Sequence, residues 1–390
     1  MACGYSVITY GEFADRLFAK AGGGRLPLFG SMEVTARCNL RCAHCYINEP
    51  AGDEAARREE LSAAELRGVL DQLVEAGCLS LLLTGGEPFV REDFLDIYTY
   101  AKERGLMVAL NTNGTTISPE IADHLGRYLP MQVEISIYGA TRQTFERVTG
   151  VPGSFDRCMR GISLLRERGV PLGLKTAAMT LNRHEVAQMA EFAAGLGLKF
   201  RFESVLNLRL DGGREAEAVR LSPEEVVALD YVVPARVEEY RKSADKFQGA
   251  PLDPDPLYNC GAGQTMFHID PNGMLGICMM AKQQLFDLRR GTFAEGWGDF
   301  FPEVLAQKGP LESPCRKCDI FNLCIQCPAM AHIEEGDQGA RIDYMCRIAH
   351  LKAEAFGYQA RGPFGQRVES RKEHRNIEEE ERDEKSLSQA

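Results

Sequence analysis

From about residue 31 to 205 the chain alternates short apolar runs with longer amphipathic stretches. The runs are SMEVTA (31–36), CLSLLLTG (78–85), LMVALNT (106–112), MQVEISI (131–137), PLGLKTA (171–177) and LKFRFES (198–204). Each has the length of a buried strand. Helical spacing fills the intervals. Residues 61–76 set Ser62 ahead of a periodic leucine pattern and stop at Gly77. Residues 92–104 stop at Gly105, 154–168 at Gly169 and 183–194 at Gly195. A serine oxygen accepts a free N–H of the first turn, and a glycine past the last turn takes the left-handed cap.

Strand–helix alternation with short loops predicts an α/β fold with a parallel sheet. Six units are too few to close an eight-stranded barrel. The expected architecture is a partial (β/α)6 TIM-like barrel over residues 31–221, with its chemistry on the loops after the strands. An N-terminal extension (1–30) precedes it. A helical linker (222–258) follows and closes in the Pro- and Asp-rich GAPLDPDPLYN. A small cysteine-rich domain spans 259–355. The tail 363–390 is charged with almost no apolar residue, which predicts solvated disorder.

With 390 residues, 44% of them hydrophobic, the chain has material for a sizeable core. No apolar run is long enough to cross a bilayer, and MACGYSVITYGEF has no signal-peptide pattern, so the expected location is the cytoplasm with no membrane partner. The net charge of −11 argues against nucleic acid, which requires clustered cations.

Thirteen cysteines change the picture. In a cytosolic chain they point to metal or catalysis instead of disulfides. Cys3, Cys78 and Cys158 stand alone and read as small buried or incidental thiols. Cys38-Asn-Leu-Arg-Cys42-Ala-His-Cys45 follows the first predicted strand. Three thiolates there suffice for three irons of a four-iron cluster and leave one iron for a small molecule. Spacing by itself also admits a structural zinc ion. Thr84-Gly85-Gly86-Glu87-Pro88 follows the second strand. Its glycines let backbone approach a ligand closely, and Glu87 offers an acceptor for a ligand ammonium. Asn111-Thr112-Asn113-Gly114 follows the third strand and Ser136-Ile137-Tyr138-Gly139 the fourth. Each, taken alone, also reads as a turn or strand cap. Lys175, on the fifth strand, meets a carboxylate or solvent.

The cysteine motif with the later GGE resembles the radical S-adenosylmethionine (SAM) superfamily. The resemblance implies one [4Fe–4S] cluster on Cys38, Cys42 and Cys45, with SAM chelating its open iron. It places His44 against the adenine, and Gly85, Gly86, Glu87, Asn113 and Ser136 around the rest of SAM. Tyr138 stands where the family often has an acidic residue.

The last third reads Cys260, twelve residues, Gly273, four residues, Cys278, a gap, then Cys315-x2-Cys318-x5-Cys324-x2-Cys327, and finally Cys346. Seven thiolates exceed one four-coordinate site, so two sites are required if all are ligands, of zinc or of iron and sulfur. The stretch resembles the SPASM domain of radical SAM maturases, departing by two residues instead of three between Cys324 and Cys327. The resemblance implies one auxiliary [4Fe–4S] cluster on Cys315, Cys318, Cys324 and Cys346, and another on Cys260, Cys278 and Cys327. Pro254 stands where some members have an eighth cysteine. Asp253, Asp255, water or an open position then completes the second cluster.

The expected function is a radical SAM oxidoreductase or maturase that cleaves SAM to a 5′-deoxyadenosyl radical and oxidatively modifies a side chain of a ribosomally made peptide. Its expected partners are that peptide, a reductant such as flavodoxin or ferredoxin, and a separate small recognition protein, because only about thirty residues precede Ser31. The alternatives are radical oxidation or rearrangement of a small metabolite such as a sugar, and a non-enzymatic zinc-binding scaffold. His184, His268, His332 and His350 read as packing or surface residues, and no catalytic base is identified.

Overall fold

The computed structural model of the protein describes residues 16–17, 24–47, 49–232, 236–238, 255–318 and 320–355. Cys3, Asp253, Pro254, the charged tail and most of the N-terminal extension and of the second half of the linker lie outside the described residues.

All six apolar runs are strands: β1 (Phe29–Glu33), β2 (Ser80–Thr84), β3 (Met107–Thr112), β4 (Gln132–Ser136), β5 (Leu172–Ala177) and β6 (Lys199–Glu203). They pair in parallel in chain order. β1 starts and stops earlier than expected. Val34 to Arg37 leave it to hydrogen-bond with the loop after β2, through Val34 N to Thr84 O at 2.9 Å and Gly86 N to Thr35 O at 2.8 Å.

The sheet continues past the barrel strands. β7 (Met266–Ile269), from the cysteine-rich region, lies parallel to β1 on the side away from β2. β8 (Met274–Gly276) and β9 (Phe286–Asp287) follow antiparallel. The order is β9-β8-β7-β1-β2-β3-β4-β5-β6, so the sheet stays open, as a partial barrel.

The expected helices form at Ala63–Glu75, Phe94–Glu103, Ser154–Glu167 and Val186–Gly195. Ser62 and Glu65 form a reciprocal capping box on the first. The fourth runs through Gly195, and Gly197 (φ 69°) takes the left-handed position in its place. Two further helices, Pro119–Arg127 and Arg142–Thr149, start at Ser118 and Thr141. The linker contributes Pro223–Asp230.

Leu81, Leu83, Val108, Leu110, Val133 and Ile135 face these helices and pack on Leu66, Leu70, Leu73, Ile97 and Tyr98. Because side chains alternate along a strand, the opposite face carries Ser31, Glu33, Asn111, Glu134 and Lys175. Helix Asp343–Ala355 packs on the linker helix, and helix Pro328–Glu335 holds the end of the segment before it. Arg220 forms two bonds to Glu334 at 2.6 and 3.1 Å, and Lys352 Nζ lies 3.1 Å from Asp230. Among the described residues no helix is long and apolar enough to cross a membrane.

Candidate functional site

The first cysteine loop is held on two sides. Arg41 N and Ala43 N donate to Thr149 O and Val148 O at 2.9 and 3.0 Å, tying it to helix Arg142–Thr149. At its base, Arg37 Nε is 2.9 Å from Glu60 Oε1, and both side chains are buried. The glycines of the GGE segment press on this base. A Cβ on Gly85, whose φ is +136°, would stand 2.1 Å from Thr35 O, and one on Gly86 would stand 2.4 Å from Arg37 O. What approaches these glycines is therefore the backbone that leads into Cys38. On this side the close contact is chain to chain.

Glu87 is fully buried. Its carboxylate accepts from Asn113 N at 2.7 Å, Thr112 Oγ1 at 2.8 Å and Phe89 N at 3.3 Å. Burial still pushes its pKa up to about 7. The carboxylate expected to meet an ammonium is thus engaged in fixing the loop after β3. Asn113, held there, points its amide nitrogen at Asn39 Oδ1 (2.9 Å) and Cys38 Sγ (3.8 Å). Leu40 N approaches the same sulfur at 3.4 Å.

His44 is half-buried, and its Nδ1 is enclosed without a hydrogen-bond partner. Burial lowers its pKa to about 4, which keeps the ring neutral. The ring tilts against Tyr138 at 4.9 Å between centroids. Tyr138 lies beside Cys42 and Ser136, and burial pushes its own pKa well above the ordinary value. Burial pushes the Cys38 thiol up to about 12 and Cys42 well above its ordinary range, and the neighbouring cysteines add to both effects. Metal binding at this loop must therefore displace protons. Lys175 meets a carboxylate, Glu134, at 3.6 Å.

The later cysteines fall into two groups. Cys327 feels Cys278 and Cys260 electrostatically. Cys324 feels Cys315, Cys346 and Cys318. Local N–H donors face several sulfurs: Met280 N to Cys278 at 3.3 Å, Met330 N to Cys327 at 3.5 Å and Gln326 Nε2 to Cys315 at 3.7 Å. Asp255 is largely exposed, 3.9 Å from Lys308. Cys78 and Cys158 are buried free thiols. Among the described residues no three His, Cys, Asp or Glu side chains gather around a single metal ion.

The sequence marks no role for Asn39, Tyr46 or Arg209. Arg209 reaches the site because Leu210 N bonds Tyr46 O at 3.1 Å, which brings the chain after β6 beside Cys45. No local signal marks such a contact. The donor set suits the implied cofactors. Three thiols share one loop, N–H groups face a ligand sulfur, and an unpartnered imidazole nitrogen lies beside them.

Comparisons with known proteins agree. A profile of the radical SAM superfamily matches residues 32–193. The chain is 32% identical to mycofactocin maturase MftC of Mycobacterium ulcerans over 76% of its own length and 82% of the relative's. It is 27% identical to an AdoMet-dependent heme synthase of Methanosarcina barkeri, over 80% and 94% of the two chains. In fold it is similar to Streptococcus suis SuiB bound to precursor peptide SuiA, with a TM-score of 0.64, 16% identity and coverage of 89% and 83%. It is likewise similar to anSMEcpe with bound AdoMet, with a TM-score of 0.64, 14% identity and coverage of 84% and 96%. The chain belongs to the radical SAM superfamily, in its SPASM-domain subfamily, and is an enzyme that uses SAM and iron–sulfur clusters.

Proposed function

We propose that this enzyme oxidatively modifies a side chain of a ribosomally made peptide. The observation that supports the reading is the sequence placement of ten cysteines, three in the loop after β1 and seven in residues 259–355, in a chain similar to a peptide maturase. Cys38, Cys42 and Cys45 hold the cluster that, with SAM bound, supplies a 5′-deoxyadenosyl radical for hydrogen-atom abstraction. His44 presents a neutral ring to the adenine. Gly85, Gly86 and Glu87 fix the loop bases around SAM, Asn113 donates toward Cys38, and Ser136 orients Tyr138. Cys315, Cys318, Cys324 and Cys346 hold one auxiliary cluster, and Cys260, Cys278 and Cys327 the other. Such clusters suit a net oxidation, which must remove an electron from the substrate after the hydrogen atom. A flavodoxin or ferredoxin in the cytoplasm supplies electrons, and a small separate protein presents the peptide.

Co-expression with a peptide encoded beside the gene, followed by mass spectrometry, tests the reading. The expected result is a mass change that disappears in Cys42→Ala; a change that persists in the variant contradicts it. A second reading, a tetrapyrrole substrate, is favoured by the similarity to the heme synthase. Conversion of a tetrapyrrole, with no peptide modified, would establish it instead.

A further inference from the structure

Three side chains on the polar face of the sheet have no task so far. Glu33 ends β1 and is 3% exposed, while His268, on β7, is 2% exposed. Parallel register sets His268 beside Ser31 and Glu33 beside Thr84, which puts them all on one face. Ser31 Oγ lies 2.9 Å from His268 Nδ1 and fixes the ring. Nε2 then faces Glu33 but stops 3.7 Å from Oε2, beyond hydrogen-bond length. His268 Nε2 and Glu33 Oε1 are buried without a hydrogen-bond partner, and so is Asn111 Oδ1 on β3.

Buried polar atoms are almost always bonded, so several unpartnered on one surface mark a place that a ligand completes. The surface lies where the chemistry is. Glu33 is five residues before Cys38 and abreast of Thr84, which opens the GGE segment. Tyr46, directly after Cys45, feels both Glu33 and Cys45. The charges farther around the face are already matched, with Arg201 Nε 2.8 Å from Glu134 and Lys175 on the same carboxylate.

We propose that Glu33, with His268 behind it and Asn111 on the same face, binds a hydrogen-bond donor of the substrate: a peptide N–H or a protonated amine next to the residue being modified. The proposal rests on the peptide reading and deepens it. A carboxylate and an amide oxygen receive N–H groups and repel carboxylates, so this wall favours an amide or amine over a carboxylate-bearing tetrapyrrole. His268, read from the sequence as packing, becomes a positioning residue.

The test uses cluster-loaded full-length enzyme, the co-encoded peptide, and two variants, Glu33→Gln and the double Glu33→Met/His268→Leu. The readouts are modified peptide per 5′-deoxyadenosine formed and the melting temperature. Glu33→Gln is expected to lower that ratio at least about tenfold, the loss of one charge-assisted hydrogen bond. The apolar double variant is expected to melt at the same temperature or higher, because it removes unpartnered buried groups. A ratio within about twofold of wild type, or a double variant that melts several degrees lower, overturns the proposal. If the wild type modifies no peptide while still cleaving SAM, the peptide reading falls, and the melting comparison alone decides the subsite.

Discussion

Gly86→Ala separates two roles for the GGE segment. A Cβ at residue 86 would lie 2.4 Å from Arg37 O, 2.5 Å from Ala36 O and 2.7 Å from Arg37 C. All three are backbone atoms in the segment that enters the cysteine loop, so no side chain can swing away. Restoring ordinary contact requires the two segments to part by about 1 Å. That movement stretches Gly86 N to Thr35 O, now 2.8 Å, and Glu87 N to Arg37 O, now 2.9 Å, past bonding range. Two lost hydrogen bonds at about 1 kcal/mol each, with about 1–3 kcal/mol of overpacking, give a cost of about 3–5 kcal/mol. For a chain of this size the melting temperature should fall by about 4–6 °C. Gly68→Ala is the control, since a Cβ there meets nothing within 4 Å and the residue is mid-helix, so it should melt no lower than wild type. Anaerobic thermal melts of cluster-loaded protein, with SAM binding by equilibrium dialysis, make the comparison. If Gly86→Ala melts within about 2 °C of wild type and only SAM affinity falls, the glycine serves the ligand and the backbone-contact explanation is refuted.

Asn113→Ala removes the amide donor to Cys38 Sγ. A donor stabilises the more negative reduced cluster, so an EPR-monitored titration should find its midpoint potential lower by on the order of 40 mV. Burial lowers the Lys175 pKa from 10.5 to about 8, which corresponds to roughly 3 kcal/mol of destabilisation with the ammonium charged. Denaturant melts of Lys175→Met should therefore show a gain at pH 7. The gain should shrink as pH rises from about 8 toward 10.5, where the unfolded wild-type chain holds a proton that the folded chain has lost. Glu334→Ala leaves Arg220 charged and enclosed, the pair being 4% and 8% exposed, and should cost about 3–5 kcal/mol by chemical denaturation. Glu224→Ala, which breaks only an exposed contact with Arg347, should leave the melt unchanged.

The strands were legible because each apolar run is short and closes on a polar or glycine-bearing loop. Helices Pro119–Arg127 and Arg142–Thr149 were not. The first buries only Ala122 and Leu125, and the second is eight residues long, so neither gives a sustained apolar period. The pairing of β7 with β1 joins residues more than two hundred positions apart, which no local pattern encodes. The clustering of the cysteines stands out because their spacing is written along the chain. Gly85 and Gly86 announce a close approach, but the identity of the approaching atoms depends on where β1 ends. Contacts such as Tyr138 with Cys42, or Ser31 with His268, exist only once the sheet brings separate strand ends together.

The proposed chemistry places one radical-generating cluster on Cys38, Cys42 and Cys45 and two auxiliary clusters on the later cysteines. Iron and sulfide analysis of anaerobically reconstituted wild type and of Cys38→Ala/Cys42→Ala/Cys45→Ala, with 5′-deoxyadenosine assayed after reduction, tests that division most directly. The expected result is roughly twelve irons per wild-type chain and roughly eight in the triple variant, with SAM cleavage abolished. A zinc-loaded wild type with little iron, or a triple variant that still cleaves SAM, would contradict it.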